Sequence, residues 1–184
     1  MNTTASPYYT RIAIALHWLM AIALIGNLGL GLYMHELPKS DFKFELYDCH
    51  KSIGALLMLL LFVRLAWRIT HTPPAPSASM SAKERRIASG MVHGLYLFML
   101  LSPLTGYLMS TFGGHPVVIF GLFEMPSLVS PNESLGKAMK VMHEVSNYAL
   151  CTLFVLHTLA ALKHYFINHD EVLAKMLPFL DKNR

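Results

Sequence analysis

Histidines are the residues of this chain whose type and spacing indicate chemistry. The chain has ten histidines in 184 residues, and the four that lie within or at the ends of apolar segments are His17, His50, His143 and His157. An ionisable side chain in an apolar helix is costly unless it has a partner. Since imidazole is a common ligand of haem iron and of zinc, these four side chains are candidates for a metal or cofactor site.

The spacing of the four histidines predicts two pairs. His143 and His157 are 14 positions apart, which in an α-helix gives roughly 21 Å along the axis and about 40° of rotation. One face of a helix therefore presents both side chains. His17 matches His157 in depth and forms the inner pair with it, whereas His50 matches His143 and forms the outer pair.

A haem iron held by two imidazoles from facing helices fits each pair, since the flat macrocycle fills the interior of a bundle. Zinc fits less well because it takes three or four ligands, commonly with Cys or carboxylate among them. The chain has no Cys-x-x-Cys-His segment, which excludes covalent attachment and predicts two non-covalent haem b groups. For any single histidine, the alternative is an imidazole that packs between helices and bonds a neighbouring carbonyl.

Three further residues are candidates for contacts with a cofactor or substrate. Arg64 follows His50 by the same 14 positions and so lies near the depth of the inner pair, as a partner for a haem propionate or as a side chain extended to the headgroups. Gly54 leaves room on the face of His50, or it serves close helix packing. His164 lies on almost the same face as His157, closer to the surface, where it bonds a quinone carbonyl or has no special task.

Four apolar segments must position these side chains. Residues 12–34, 87–112 and 145–162 contain no Asp, Glu, Lys or Arg, and residues 53–69 contain only Arg64 and Arg68. Each segment is long enough to span the hydrocarbon core of a membrane. The chain is 54% hydrophobic and only 14% charged, whereas a soluble domain carries nearer a quarter charged residues.

These segments predict an all-α fold, an integral membrane four-helix bundle that forms a single membrane domain. The helices are expected over about 10–35, 50–70, 82–112 and 133–168, with a short surface helix over about 170–177. Most of the 15 lysines and arginines lie on the side of the two termini. The positive-inside rule therefore places both termini in the cytoplasm, and membrane topology accounts for the basic pI without nucleic-acid binding.

Short motifs around these residues follow one another in a specific order. They include Leu16-His17-Trp18, His50-Lys51-Ser52-Ile53-Gly54, Arg64-Leu65-Ala66-Trp67-Arg68, Pro103-Leu104-Thr105-Gly106, His143-Glu144 and Leu156-His157. Together they resemble the bacterial cytochrome b561 family, especially its superoxide oxidase branch. The resemblance implies a multi-pass protein of the bacterial inner membrane, with His17 and His157 on a cytoplasmic-side haem and His50 and His143 on a periplasmic-side haem. It also implies electron exchange with ubiquinone, with His164 at the position of a quinone-contacting histidine.

The same resemblance suggests an oxidoreductase in which superoxide gives its electron to the outer haem and the inner haem passes electrons to ubiquinone. Lys51, Lys137 and Lys140 lie near the outer pair, where they either steer an anion to the haem or anchor the helices at the headgroups. Two other functions remain open. One is an electron-carrier subunit that links quinone to a partner oxidoreductase, and the other is a histidine-containing metal transporter or structural membrane protein.

Overall fold

Four long helices dominate the structure, a computed structural model that describes residues 8–180. They are α1 (Arg11–Glu36), α2 (Asp41–Thr70), α3 (Ala82–Phe112) and α4 (Glu133–Lys163). A two-stranded hairpin, β1 (Val118–Ile119) with β2 (Phe123–Glu124), lies between α3 and α4, and α4 continues into a π-helical turn over His164–Asn168. All four helices are long and apolar enough to cross a membrane, which confirms the predicted all-α membrane fold. The two chain ends, which are expected in the cytoplasm, lie outside the described residues.

The helices begin where side chains can satisfy their first backbone N–H groups. Ser81 and Glu84 form the complete capping box that their spacing predicts at the start of α3. The hydroxyl of Ser40 accepts from a first-turn N–H of α2, and Asp41 adds a negative charge at the positive end of that helix. For this reason α2 begins at Asp41 rather than near His50, and its first turns are polar and precede the apolar segment.

The segment after α4 is not the regular surface helix that its apolar stripe suggests. Residues 171–176 form hydrogen-bonded turns, and a short 3-10 turn follows at Pro178–Leu180. One carboxylate oxygen of Asp170 accepts from the backbone N–H of Val172, which favours a turn. The indole N–H of Trp18 donates to the carbonyl of Met176 at 2.9 Å, so side chains from elsewhere fix the segment.

The helices pack as two close pairs that are joined on one side. α3 packs along α4, α1 packs along α2, and α2 also contacts α3, but neither α1 nor α2 packs closely along α4. At most 11% of the apolar stretch of each helix is buried within the chain. The backbones of α1 and α2 therefore stay apart from that of α4 along most of its length.

A cluster of buried hydrophobic residues joins α1 and α2 at Leu61, which is fully buried beside Met20 and Leu57. We expect Leu61→Ala to lower the free energy of unfolding by about 2–5 kcal/mol, because it deletes buried methyl groups and leaves a cavity. Thermal unfolding in detergent measures the loss. Ile69→Ala, on the same helix but 84% exposed, is the control and should change stability by less than about 0.5 kcal/mol. Equal losses in the two variants would contradict the assignment of this core.

Candidate functional site

The structure brings the four histidines together in two pairs. The ring centres of His17 on α1 and His157 on α4 are 6.2 Å apart, with the ring planes at 69°. The ring centres of His50 on α2 and His143 on α4 are also 6.2 Å apart, with the planes at 89°. α4 thus contributes one ring to each pair, and the partner ring comes from α1 or α2.

A separation of 6.2 Å is the one required when two imidazoles share a metal ion. Two metal–nitrogen bonds of about 2 Å, plus about 1.1 Å from each nitrogen to its ring centre, sum to about 6 Å. Within the described residues, no group of three or more His, Cys, Asp or Glu side chains is placed to hold a metal. Two protein ligands are too few for an ordinary zinc site, but they suit haem, whose macrocycle supplies the other four nitrogens.

Backbone carbonyls orient both rings of the outer pair. His50 Nδ1 lies 3.2 Å from the carbonyl oxygen of Asn27, and His143 Nδ1 lies 2.8 Å from that of Ser102. Ser102 Oγ donates to the side-chain oxygen of Asn147, which in turn donates through its amide nitrogen to the carbonyl of His143. Because a carbonyl only accepts, Nδ1 carries the proton on both rings and Nε2 is left as the metal-binding nitrogen.

Two glycines that the sequence analysis did not identify make room for the outer pair. A Cβ at Gly31 would lie 3.2 Å from Cε1 of His50, and a Cβ at Gly106 would lie 2.9 Å from Cε1 of His143. At Gly54 a Cβ would be 3.7 Å from the amide nitrogen of Asn27, an ordinary contact between α1 and α2. Gly54 therefore lies where α1 and α2 approach each other, whereas Gly31 and Gly106 lie against the two rings of the outer pair.

Arg64 reaches the inner pair, as its spacing from His50 predicts. Its Nη2 lies 3.3 Å from Nδ1 of His17. Two further contacts hold the guanidinium in place, since Nε donates to the hydroxyl of Tyr96 at 3.1 Å and Nη1 donates to the carbonyl of Ala13 at 3.3 Å. Arg68 differs from Arg64, because its guanidinium lies over the ring of Tyr96, 6.0 Å from the ring centre.

His164 is buried at the end of α4 and contacts a carboxylate. Its Nδ1 lies 2.7 Å from Oδ2 of Asp170, which also accepts from the hydroxyl of Ser79 at 2.7 Å. Burial raises the pKa of Asp170, but the hydrogen bonds from Ser79, His164 and the N–H of Val172 lower it more, so the net pKa lies below its usual value. An ionised Asp170 accepts a hydrogen bond from the Nδ1–H of His164, which leaves Nε2 for another partner.

Each of the three lysines expected near the outer pair has a carboxylate within reach. Lys51 lies 3.1 Å from Asp48, Lys137 lies 2.6 Å from Glu133, and Lys140 lies 3.8 Å from Glu144. Such pairs carry little net charge, so these lysines provide less attraction for an anion than the sequence suggested.

The β-hairpin packs beside the outer pair. Ser52, two residues after His50, is buried, and its hydroxyl lies 3.2 Å from the carbonyl of Val118 and accepts from the N–H of Phe120 at 2.9 Å. The hairpin turn has positive φ at Phe120 and Gly121. Three apolar side chains of the hairpin are exposed, Phe120, Leu122 and Phe123, as is Leu128 in the loop that follows.

Known proteins resemble this chain over the whole bundle. The sequence profile described as prokaryotic cytochrome b561 matches residues 8–179. Cytochrome b561 homolog 2 of Escherichia coli (strain K12) is 36% identical over 179 residues, which cover 96% of this chain and 95% of the relative. The probable superoxide oxidase CybB of Yersinia pestis is 24% identical over 175 residues, 92% of this chain and 96% of the relative. Cytochrome b562 of Cereibacter sphaeroides is 25% identical over 188 residues, 95% and 98% of the two chains.

Proposed function

The chain belongs to the prokaryotic cytochrome b561 family of electron-transferring membrane b-type cytochromes, and on this premise we propose that it binds two haem b groups and carries electrons from superoxide to ubiquinone. The observation that carries the proposal is the 6.2 Å separation of the rings in both pairs. The name of the Yersinia relative supports superoxide as the donor. We further propose that the protein lies in the bacterial inner membrane, with the outer pair toward the periplasm.

In this proposal the chain's own side chains hold and orient the haems. His17 and His157 would hold the haem on the inner side, His50 and His143 would hold the one on the outer side, and Arg64 would pair with a propionate. When bound, haem iron accepts and releases one electron at a time. Each haem would be held by two imidazoles, which suits electron transfer.

The electrons and protons of the overall reaction balance as follows. Two superoxide ions lose one electron each and become two molecules of oxygen, and ubiquinone takes up two electrons and two protons to become ubiquinol. We place His164 at the ubiquinone, with Nε2 toward a quinone carbonyl. Asp170 accepts a hydrogen bond from Nδ1, 2.7 Å away, and so fixes the ring with Nε2 available for a hydrogen bond at the quinone.

Stopped-flow spectroscopy of the purified chain tests this function. Exposure to a superoxide source should convert the haem spectrum to the reduced form, superoxide dismutase should prevent the change, and added ubiquinone should reoxidise the haem with formation of ubiquinol. If superoxide leaves the haem oxidised, superoxide is not the donor. A purified protein without a Soret band would instead indicate a transporter or structural membrane protein.

We expect His164→Gln to separate the quinone step from the haems. Haem content and reduction by superoxide should be unchanged, whereas reoxidation by ubiquinone should slow by up to about tenfold, because the loss of one hydrogen bond costs about 0.5–1.5 kcal/mol. Asp170→Asn should slow the same step, since it removes the negative charge that contacts Nδ1. His169→Asn is the matched control, because His169 is exposed and its left-handed conformation tolerates Asn. Equal reoxidation rates in His164→Gln and the control would remove His164 from the quinone site.

One observation favours a second function, that of an electron-carrier subunit serving a partner oxidoreductase. The hairpin beside the outer pair exposes four apolar side chains in the region of residues 120–128, and the neighbouring lysines are paired with acids. Such a surface suits contact with a protein better than attraction of an anion. Reduction of the chain by superoxide without any partner would favour electron transfer from superoxide to ubiquinone over the role of an electron-carrier subunit.

A further inference from the structure

The two histidine pairs differ in what surrounds their Nδ1 atoms. Both rings of the outer pair face carbonyl oxygens, those of Asn27 and Ser102. In the inner pair, Nδ1 of His17 faces the guanidinium of Arg64 at 3.3 Å. The outer ligands therefore have carbonyl acceptors beside them, whereas His17 of the inner pair has a cation beside it.

This difference bears on reduction potentials. A haem with two neutral axial ligands carries one more positive charge when it is oxidised than when it is reduced. A carbonyl that accepts a hydrogen bond from Nδ1 makes the imidazole a stronger electron donor. It therefore stabilises the oxidised haem and lowers its reduction potential. A nearby cation destabilises the oxidised form and raises the potential, and the effect is larger in a low-dielectric interior.

Arg64 stays beside the inner pair whatever His17 does. When Nε2 of His17 binds a metal, its Nδ1 keeps a proton and cannot accept from a guanidinium, which has only donors. The hydrogen bonds to the hydroxyl of Tyr96 and the carbonyl of Ala13 do not involve His17. The charge is therefore held in place independently of the ligand.

The described part of the chain supplies no carboxylate to Arg64, so the acidic group that it neutralises in the proposed holoprotein is a haem propionate, and this neutralisation also raises the potential. Lys51, Lys137 and Lys140 each have a carboxylate within 4 Å, whereas no carboxylate in the described part of the chain forms an ion pair with Arg64. Arg68, over the ring of Tyr96, adds a second positive charge on the inner side. Two guanidinium groups therefore lie on the side of the inner pair.

We propose that Arg64 holds the haem of the inner pair at a higher reduction potential than the haem of the outer pair, so that electron transfer from the outer to the inner side is downhill. The inference rests on the proposed binding of two haems. It makes no use of superoxide or ubiquinone, and it applies whichever donor and acceptor the chain uses.

Spectroelectrochemical titration of the purified full-length chain tests the inference. His50→Ala, which should keep the inner haem alone, and His17→Ala, which should keep the outer haem alone, assign the two midpoints of the unaltered protein. Arg64→Gln should lower the inner midpoint by the equivalent of a tenfold or larger change in the equilibrium constant of reduction, about 59 mV for a one-electron couple. Arg64→Lys, which retains the charge, should restore most of the loss.

Arg68→Gln is the matched control, because it removes the same charge four positions later, where the side chain contacts Tyr96 but not His17. It should shift the inner midpoint less than Arg64→Gln. The inference is overturned if the assigned outer midpoint is the higher one, or if Arg64→Gln leaves both midpoints in place or shifts them equally. The comparison of the inner midpoint with the outer one uses no variant of Arg64, so it tests the inference even if Arg64→Gln does not fold. A preparation with fewer than two haems per chain would instead refute the proposed function.

Discussion

A His157→Ala variant is expected to purify with one haem per chain instead of two. His157 lies opposite His17 with 6.2 Å between the ring centres, and no other His, Cys, Asp or Glu among the described residues is grouped with them. Loss of either ring leaves the inner haem with a single protein ligand. The pyridine haemochrome absorbance per mole of protein measures the loss, and electron transfer to ubiquinone should disappear with it.

His93→Ala provides the matched control for this experiment. His93 lies on α3, and its Nδ1 contacts the carbonyl of Ser89 on the same helix at 2.7 Å, so its removal should leave two haems. His143→Ala should also reduce the content to one haem. The remaining haem should be the inner one, with a different midpoint potential. Two haems with unaltered spectra in His157→Ala would exclude the proposed ligation.

The second large effect is expected from a single methyl group at Gly106. A Cβ there would lie 2.9 Å from Cε1 and 3.1 Å from Nδ1 of His143. The ring cannot easily move away, because its Nδ1 is held by the carbonyl of Ser102 at 2.8 Å. Gly106→Ala should therefore weaken haem binding at the outer pair at least tenfold, about 1.4 kcal/mol, and leave the inner haem in place.

Gly90→Ala is the control for Gly106→Ala. Gly90 lies on the same helix, and a Cβ there would meet nothing within 4 Å. Haem titration into the haem-depleted protein, followed at the Soret band, gives the two affinities. If both variants bind haem as the unaltered protein does, the close approach at Gly106 does not constrain the outer ligand.

Sequence spacing predicted the features that depend on a single helix. The 14 positions between His143 and His157 place both rings on one face of α4, and lengths and charges defined four membrane-spanning helices. The lysine pairs were also readable, because Glu133 and Lys137 are four positions apart on one helix. Applied to Lys140 and Glu144 as well, the same rule would have tempered the expectation that these lysines steer an anion.

Features that depend on contacts between helices could not be read in this way. Gly106 matters because α3 approaches the ring of a residue on α4, and no local pattern distinguishes it from Gly90. Tyr96 positions Arg64 across 32 residues of sequence. The start of α2 was missed for a different reason, since its first turns are polar and a search for apolar segments passes over them although Ser40 is a good cap.

The arrangement of the helices has a consequence for the life of the protein in the cell. α1 with α2 and α3 with α4 form two helical hairpins, which meet between α2 and α3 and where strand β1 lies against α2. Each histidine pair also joins one helical hairpin to the other. A shared prosthetic group at each pair would act as a cross-link between the hairpins. Newly made chains should then be open to membrane proteases until they bind the prosthetic groups. The amount of protein in the cell should therefore follow the supply of porphyrin as well as the rate of protein synthesis.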